Sequence, residues 1–147
     1  MLKLILIGSL LVAVTVLVHS LGTAFWVRHL IRRFSAVDGA WRAGRIVSAL
    51  VTTAVVILTL HIVEVTIWAF VYLRALPAGA TWTFEQAVYF SLVTFTTLGY
   101  GEITLGPDLR LLSGIEALNG IVLVGWSTAL LFALLERIWK ASVKAGR

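Results

Sequence analysis

Residues 94–103, TFTTLGYGEI, combine residue types that could bind a bare cation: three threonines come before two glycines, which flank a tyrosine and lead to an acid. Glycine adopts left-handed backbone dihedrals at little cost, whereas other residues do not. Where alternate residues take such dihedrals, an extended backbone can turn its carbonyl oxygens to one side. A stack of oxygens arranged in this way can replace the water around a dehydrated cation.

Two pairs of polar residues also interrupt apolar sequence. His61 and Glu64 are three positions apart, as are Glu116 and Asn119, so each pair lies one helical turn apart. Ionisable groups inside a membrane are costly, which makes a function the default hypothesis, although a purely structural hydrogen-bond network is the alternative. His61 could sense protons, because imidazole titrates near neutral pH. A divalent metal site is disfavoured, since His61 and Glu64 are only two ligands. The other histidines are assigned to the membrane interface, without function: His19 and His29.

The amino-acid composition indicates whether these groups lie in a soluble protein or in a membrane protein. Of 147 residues, 60% are hydrophobic and 13% charged, and the mean hydropathy is +0.99, far from the composition of a soluble domain. Three apolar runs are long enough to span a bilayer, which takes about 20 helical residues: 4–27, 46–76 and 111–139. A fourth run, 84–98, is too short to span. The chain has no cysteine, so neither a disulfide nor a thiolate metal site is expected.

The positive charges predict the topology. Nine of the twelve basic residues lie after the first apolar run or at and beyond the end of the last one, and the positive-inside rule places both regions in the cytoplasm. The N-terminus is then outside, the C-terminus is cytoplasmic, and the segment between the second and third spans enters from the external face and returns to it. This distribution explains the net charge of +5 without nucleic acid as a partner.

The first apolar run and the basic segment after it each allow two interpretations. A run of 24 residues, 4–27, is long for the core of a signal peptide, which favours a retained helix. The segment 25–45 mixes aromatic residues with arginines, so it is either a helix lying on the anionic inner leaflet or a solvated basic loop. A voltage sensor is disfavoured because these arginines lie beyond the span. The residues expected to contact anionic lipid are Arg28, Arg32, Arg33, Arg42 and Arg45.

The short fourth run is expected to begin as a helix. Thr83 and Gln86 fit a capping box with Thr83 as the N-cap. A helix that stops before the glycines has about 14 residues and rises about 20 Å, roughly half the bilayer. Non-helical backbone at this depth must be buried in protein or line a polar cavity, because each unpaired amide costs several kcal/mol in lipid. The TLGYG segment, residues 97–101, is therefore expected to line a wet cavity.

The motif TTLGYGE, behind a short helix and ahead of a glycine-containing span, resembles the signature of potassium channel pore domains, whose usual form is TVGYG followed by an acid. The resemblance covers residues 46–140 and implies an outer helix, a pore helix, a selectivity filter and an inner helix. It leaves 1–45 as an added transmembrane helix with its basic connection and 141–147 as a short cytoplasmic tail. One motif per chain implies four chains. The expected fold is an all-α membrane protein, with three transmembrane helices and a re-entrant pore helix and filter loop, assembled as a homotetramer.

The resemblance also assigns residues to the filter. The backbone segment expected to bind K⁺ consists of Thr97, Leu98, Gly99 and Tyr100, followed by Gly101. The residues expected to support it, including the aromatic pair that would brace the filter tyrosine, are Thr96, Tyr89, Phe90 and Glu102. Leu98 replaces the usual valine, and Glu102 replaces the usual aspartate, which keeps an acid at the outer mouth. Val93 stands where some members have an acidic partner in the pore helix, so that hydrogen bond is lacking here.

The last span is expected to be the inner helix, with Asp108 as its N-cap. Gly120 falls at the position of the family's hinge glycine, and a packing glycine is the alternative. Helical spacing predicts a stripe that faces the ion path, formed by Ala117, Ile121, Val124 and Thr128. This stripe is mostly apolar, so closure or dewetting of the path is an expected way to gate it.

The polar pairs are expected to form a bracket behind the filter. Glu116 and Asn119 lie on a different face of the inner helix from the stripe. They are expected to approach the pore-helix hydroxyls of Ser91 and Thr94. The other pair, in the outer helix, would approach the same layer or the first span.

The expected function is passive K⁺ conduction, with K⁺ as the permeant ion and no organic cofactor. No enzymatic step is expected, because the sequence offers no nucleophile with a paired base, no metal cluster and no nucleotide loop. The alternative is a non-selective cation channel or an accessory pore-like subunit. The intact Tyr100–Gly101 pair favours the selective channel, since non-selective relatives usually lose it. A compact pore of this kind suggests a multi-pass protein of a prokaryotic inner membrane.

Overall fold

Four α-helices make up the described part of the chain. The structure, a computed structural model, describes residues 1–34, 43–76 and 81–145. The helices are α1 (Leu2–Phe34), α2 (Ala43–Ala75), α3 (Phe84–Phe95) and α4 (Arg110–Ala145). No strand occurs in these ranges, and the all-α membrane fold expected from the sequence is confirmed.

Three of the helices are long and apolar enough to cross a membrane. These candidate spans are Leu2–Arg33, Gly44–Ala75 and Arg110–Lys140. Residues 25–34 continue α1 without a break. Both alternatives for the segment 25–45, a separate helix lying on the inner leaflet and a solvated loop, are therefore wrong for residues 25–34, while residues 35–42 lie outside the described residues. The 33 residues of α1 rise about 50 Å, against roughly 30 Å for the hydrocarbon core. A spanning α1 therefore extends well past the core, which leaves room for Arg32 and Arg33 in its last turn.

The short helix α3 begins with the capping box that the sequence predicts. The Thr83 hydroxyl accepts a hydrogen bond from the Gln86 amide (3.2 Å), and the Gln86 side chain accepts one from the Thr83 amide (2.9 Å). The helix has 12 residues rather than about 14, because it ends at Phe95 with Thr96 as its C-cap. Its rise of about 18 Å is too short to span a bilayer.

α3 packs on two of the long helices, α2 and α4. Phe90 packs edge-to-face on Tyr72 of α2, with 5.0 Å between the ring centroids. The same buried cluster includes Leu112 of α4 and Leu11 of α1. A second buried cluster consists of Val65, Phe95 and Leu123. Because α1 contacts both α2 and α4, the added helix is part of the core that positions α3.

Gly120 lets α4 lie directly against the end of α3. A Cβ at this position would lie 1.9 Å from the Phe95 carbonyl oxygen, far inside van der Waals contact. By contrast, a Cβ at Gly125 of the same helix would meet nothing within 4 Å. Close packing against Phe95 therefore explains why a glycine stands at position 120. The role of Gly120 as a gating hinge stays a prediction.

We expect Gly120→Ala to lower the stability of the folded protein by about 1–3 kcal/mol, the usual cost of forcing an extra group into a packed core. Gly125→Ala is the matched control, since it adds the same methyl group to the same helix where there is space. Alanine's higher helix propensity should leave its stability unchanged or raised. Thermal unfolding midpoints in detergent measure both variants. Equal midpoints would contradict the packing role and leave the hinge as the remaining explanation.

Candidate functional site

The loop after α3 has an alternating backbone. Positive φ angles occur at Thr97 (60°), Gly99 (56°) and Gly101 (88°), that is, at every second residue. The sequence predicts this conformation only for the two glycines. Thr97 is β-branched, and a left-handed conformation costs such a residue roughly 1–3 kcal/mol. The surrounding structure must therefore hold Thr97 in place.

Hydrogen bonds to the end of α3 fix the start of this loop. The Val93 carbonyl accepts from the amides of Leu98 (2.9 Å) and Gly99 (3.3 Å), and the Thr94 carbonyl accepts from the Thr97 amide (2.9 Å). Among the hydrogen bonds within the described residues, none uses a carbonyl oxygen of residues 97–100. The amides of residues 97–99 thus anchor the loop to the end of α3.

Side chains of the loop are exposed in the single chain. Leu98 is 57% exposed and Tyr100 is 67% exposed, so neither packs inside its own subunit. Tyr89 of α3 donates a hydrogen bond to the Glu102 carboxylate, which ties the far end of the loop back to the helix. Phe90, the other aromatic residue expected to brace the filter tyrosine, is buried in the helix core. Bracing of Tyr100 by Tyr89 and Phe90 stays a prediction.

Glu116 of α4 is fully buried between α2 and α3. Its Oε2 accepts a hydrogen bond from the Tyr72 hydroxyl (2.5 Å), and its Oε1 accepts one from the Ser91 hydroxyl. Ser91 Oγ also lies 2.9 Å from the Val65 carbonyl oxygen. The carboxyl group therefore links α4 to the outer helix and to the helix that carries the loop. Ser91 is one of its two expected partners, and Tyr72 is a partner that was not expected from the sequence.

Asn119 has a different partner from the α3 hydroxyls expected for it. Its amide nitrogen donates to Thr15 Oγ1 on α1 (2.8 Å), and both side chains are buried. The contact expected between Asn119 and the hydroxyls of Ser91 or Thr94 is wrong, because the first helix supplies the partner. This hydrogen bond joins α1 to α4 one turn from Glu116.

His19, His61 and Glu64 form a buried group between α1, α2 and α4, which we call the His–Glu cluster. One Glu64 oxygen lies 2.8 Å from His19 Nδ1, and the other lies 2.9 Å from His61 Nδ1. The two imidazole rings stack with 5.3 Å between their centroids. On the opposite side of the rings, Ser127 Oγ of α4 lies 3.0 Å from His61 Nε2 and 3.4 Å from His19 Nε2.

The position of His19 in the His–Glu cluster differs from that expected from the sequence. The interface assignment of His19 is wrong, because its side chain is fully buried and hydrogen-bonded to Glu64. His61 is therefore not the only imidazole deep within a span. A metal site here is also not limited to two ligands, since His19 brings a third. The expected approach of the outer-helix pair to the first span is confirmed. His29 is exposed and stacks on Trp26, and its position at the membrane interface stays a prediction.

The sequence of α1 contains a pattern that marks the face by which this helix packs on the others. Thr15, His19 and Thr23 recur at every fourth residue, and all three are buried. Polar groups are costly in lipid, so polar residues at this spacing on an apolar helix mark a face that packs on other helices. The spacing of the three residues, and not any one of them alone, is the signal that identifies this face.

The two faces of α4 are separated as helical spacing predicts. The residues buried against the other helices include Glu116, Asn119, Leu123 and Ser127. The residues expected to line an ion path are half-buried or exposed in the single chain: Ala117, Ile121, Val124 and Thr128. α4 itself begins at Arg110, two residues after its expected N-cap, Asp108. The helices of the described part of the chain therefore leave this face of α4 largely uncovered.

Comparison with known protein families adds independent support. A family model described as "Ion channel" matches residues 56–137, more than half of the chain. The matched segment contains much of α2, all of α3 with the loop after it, and most of α4, whereas α1 lies outside it. Comparisons with curated proteins and with solved structures gave no significant match. Because the match covers more than half of the chain and includes the whole loop, the chain belongs to the ion channel family.

Proposed function

We propose that four copies of this chain form a K⁺-selective channel whose filter is the loop at residues 97–101. The observation that carries the proposal is the alternation of positive φ angles at Thr97, Gly99 and Gly101. Such alternation lets successive carbonyl oxygens share one direction. K⁺ gives up its hydration water readily where backbone carbonyls replace it, and the carbonyls of this loop are free of other hydrogen bonds within the described residues.

The exposure of the loop supports an assembly of several chains. Irregular backbone at the depth where α3 ends cannot face lipid, so other protein or an aqueous path must surround it. Each chain has one such loop, and K⁺ filters are built from four. An open cavity of about 280 Å³ beside the loop is lined in part by Tyr89, Val93 and Ser113. This cavity offers a place for side chains of a neighbouring copy, such as its exposed Leu98 or Tyr100.

The remaining residues have definite places in this proposal. The carbonyl oxygens that bind K⁺ belong to Thr97, Leu98, Gly99 and Tyr100. Glu102, which Tyr89 holds through a hydrogen bond, places negative charge at the external mouth and raises the local concentration of cations. Beyond the filter, the stripe of α4 formed by Ala117, Ile121, Val124 and Thr128 lines the path.

We also propose an orientation for this multi-pass membrane protein in the cell membrane. The positive-inside rule puts the connection after α1 and the C-terminus in the cytoplasm, and the N-terminus outside. Arginines at the two ends of that connection then lie near the anionic inner leaflet, where each contributes about 1 kcal/mol to lipid contact. The described residues among them are Arg28, Arg32, Arg33 and Arg45, while Arg42 lies outside the described residues.

Ion flux from reconstituted vesicles tests the proposed function. We expect vesicles loaded with K⁺ to empty rapidly and vesicles loaded with Na⁺ to retain their ions, because the filter carbonyls replace the hydration of K⁺. Native mass spectrometry should give the mass of four chains of 16.1 kDa. Equal release of K⁺ and Na⁺ would favour a non-selective channel. Release of neither ion would favour an accessory subunit.

A further inference from the structure

We propose that His19, His61 and Glu64 bind a divalent transition-metal ion, for which Zn²⁺ is a suitable probe. One ligand atom from each residue can be chosen so that all three lie within 4.8 Å of one another. Two imidazole nitrogens and one carboxylate oxygen are a common ligand set for Zn²⁺ in sites with an open fourth position. The site lies apart from the filter, and binding there does not depend on which ion the channel conducts.

The ligand atoms are close to the spacing that a tetrahedral ion requires. With metal–ligand distances of about 2.0–2.2 Å, neighbouring ligand atoms lie roughly 3.4 Å apart. The Nδ1 atoms of His19 and His61 lie 2.8 Å and 2.9 Å from the two oxygens of Glu64. Shifts on the order of 1 Å would therefore seat an ion among the three side chains.

Ser127 is placed to support the imidazole tautomers that a metal ion needs. In the present arrangement each Nδ1 makes a hydrogen bond with Glu64. An ion bound at Nδ1 takes that lone pair, so the ring proton must lie on Nε2. Ser127 Oγ is within 3.0 Å and 3.4 Å of the two Nε2 atoms, and a hydroxyl oxygen has two lone pairs to accept both protons. Hydrogen bonds of this kind orient histidine ligands in metal sites.

The surroundings already hold the ligands together. The side chains of His19 and Glu64 are fully buried, and that of His61 is 14% exposed, so protein surrounds most of the site. The imidazole rings are stacked before any ion binds, so little ordering is needed on binding. Because the ligands come from α1 and α2, a bound ion would cross-link the added helix to the outer helix of the pore.

The position of the site links it to the filter. The His61 ring lies 5.6 Å from the ring of Phe95, the last residue of α3. Phe95 is in turn the residue whose carbonyl packs against Gly120. An ion at the His–Glu cluster thus acts on the helix end from which the filter begins. An effect of the bound ion on K⁺ current rests on the proposed function, whereas binding of the ion to the His–Glu cluster does not.

Direct binding tests the site. Protein without a polyhistidine tag is equilibrated with Zn²⁺, desalted and analysed for metal, and we expect one ion per chain. Changing an outer-shell partner costs metal sites about 10–100-fold in affinity, so loss of a ligand in His19→Gln or His61→Gln should cost more than about 100-fold. Ser127→Ala should weaken binding roughly 10-fold. His29→Gln is the matched control, since it changes the remaining histidine, which is exposed on α1.

Thermal unfolding gives a second readout that a folding defect cannot imitate. Zn²⁺ should raise the unfolding midpoint of the wild type and of His29→Gln, because an ion that binds only the folded state stabilises it. It should leave the midpoint of His19→Gln unchanged. The proposal is overturned if the wild type retains no Zn²⁺, or if His19→Gln binds Zn²⁺ as tightly as His29→Gln. Both results can be obtained whether or not the protein conducts K⁺, so this test and that of the proposed function fail separately.

Discussion

The Gly99→Ala protein should lose nearly all K⁺ flux while remaining assembled. Gly99 has a φ angle of 56°, and a Cβ built there meets nothing within 4 Å. The penalty therefore comes from the backbone conformation and not from a collision. A left-handed conformation costs an alanine roughly 1–2 kcal/mol, which amounts to about 4–8 kcal/mol over four chains. Relaxation of that strain would rotate the peptide and remove a carbonyl oxygen from the filter.

Gly106→Ala is the matched control for this effect. Gly106 follows the filter in the same connection, has equal space for a Cβ and does not adopt a left-handed φ. Its variant should conduct as the wild type does. Vesicle efflux measures K⁺ flux, and size-exclusion chromatography in detergent checks the assembly. K⁺ flux of Gly99→Ala equal to that of Gly106→Ala would show that the assignment of the filter is wrong.

Glu116→Leu should destabilise the protein and reduce its current. The substitution leaves the buried Tyr72 hydroxyl without its acceptor, at a cost of about 1–3 kcal/mol. Ser91 keeps the Val65 carbonyl as a partner, so most of the loss comes from Tyr72. In Glu116→Gln, the amide oxygen can accept from Tyr72 and the amide nitrogen can donate to Ser91, so most stability and current should persist. Unfolding midpoints and vesicle efflux compare the two variants.

A second change separates this structural role from a role in the ion path. Adding Tyr72→Phe to Glu116→Leu replaces both partners by apolar groups and should restore part of the lost stability. If the carboxylate instead faced the path, Glu116→Gln alone would reduce single-channel conductance most strongly at low salt, where charge is least screened. That salt dependence, or equal stability of the Leu and Gln variants, would contradict a support role behind the filter.

Local signals predict the elements that position the filter. The capping box at Thr83 fixes the start of α3, and the glycines predict two of the three left-handed residues, because both signals depend on the residues themselves. The conformation of Thr97 could not be predicted in this way. A β-branched residue avoids φ angles near 60°, so only contacts made by the folded loop hold Thr97 there.

Hydrogen-bond partners on different helices were harder to predict. Which side chains meet across the bundle depends on how each helix is rotated about its axis. Helical spacing put Glu116 on the right face and suggested Ser91, but it could not choose between α3 and α1 as the partner of Asn119. His19 was missed for the same reason. The resemblance to two-helix pores has no place for a first span, and only the packing of α1 on α2 brings His19 to Glu64.

The reversal potential of single channels tests the central claim most directly. The wild-type protein is recorded in a planar bilayer with a tenfold K⁺ gradient, and Na⁺ replaces K⁺ to keep the ionic strength equal on both sides. A filter that selects K⁺ places the reversal potential near the K⁺ equilibrium value, about 59 mV from zero. A reversal potential near zero would mean that K⁺ and Na⁺ pass equally, which contradicts a K⁺-selective filter at residues 97–101.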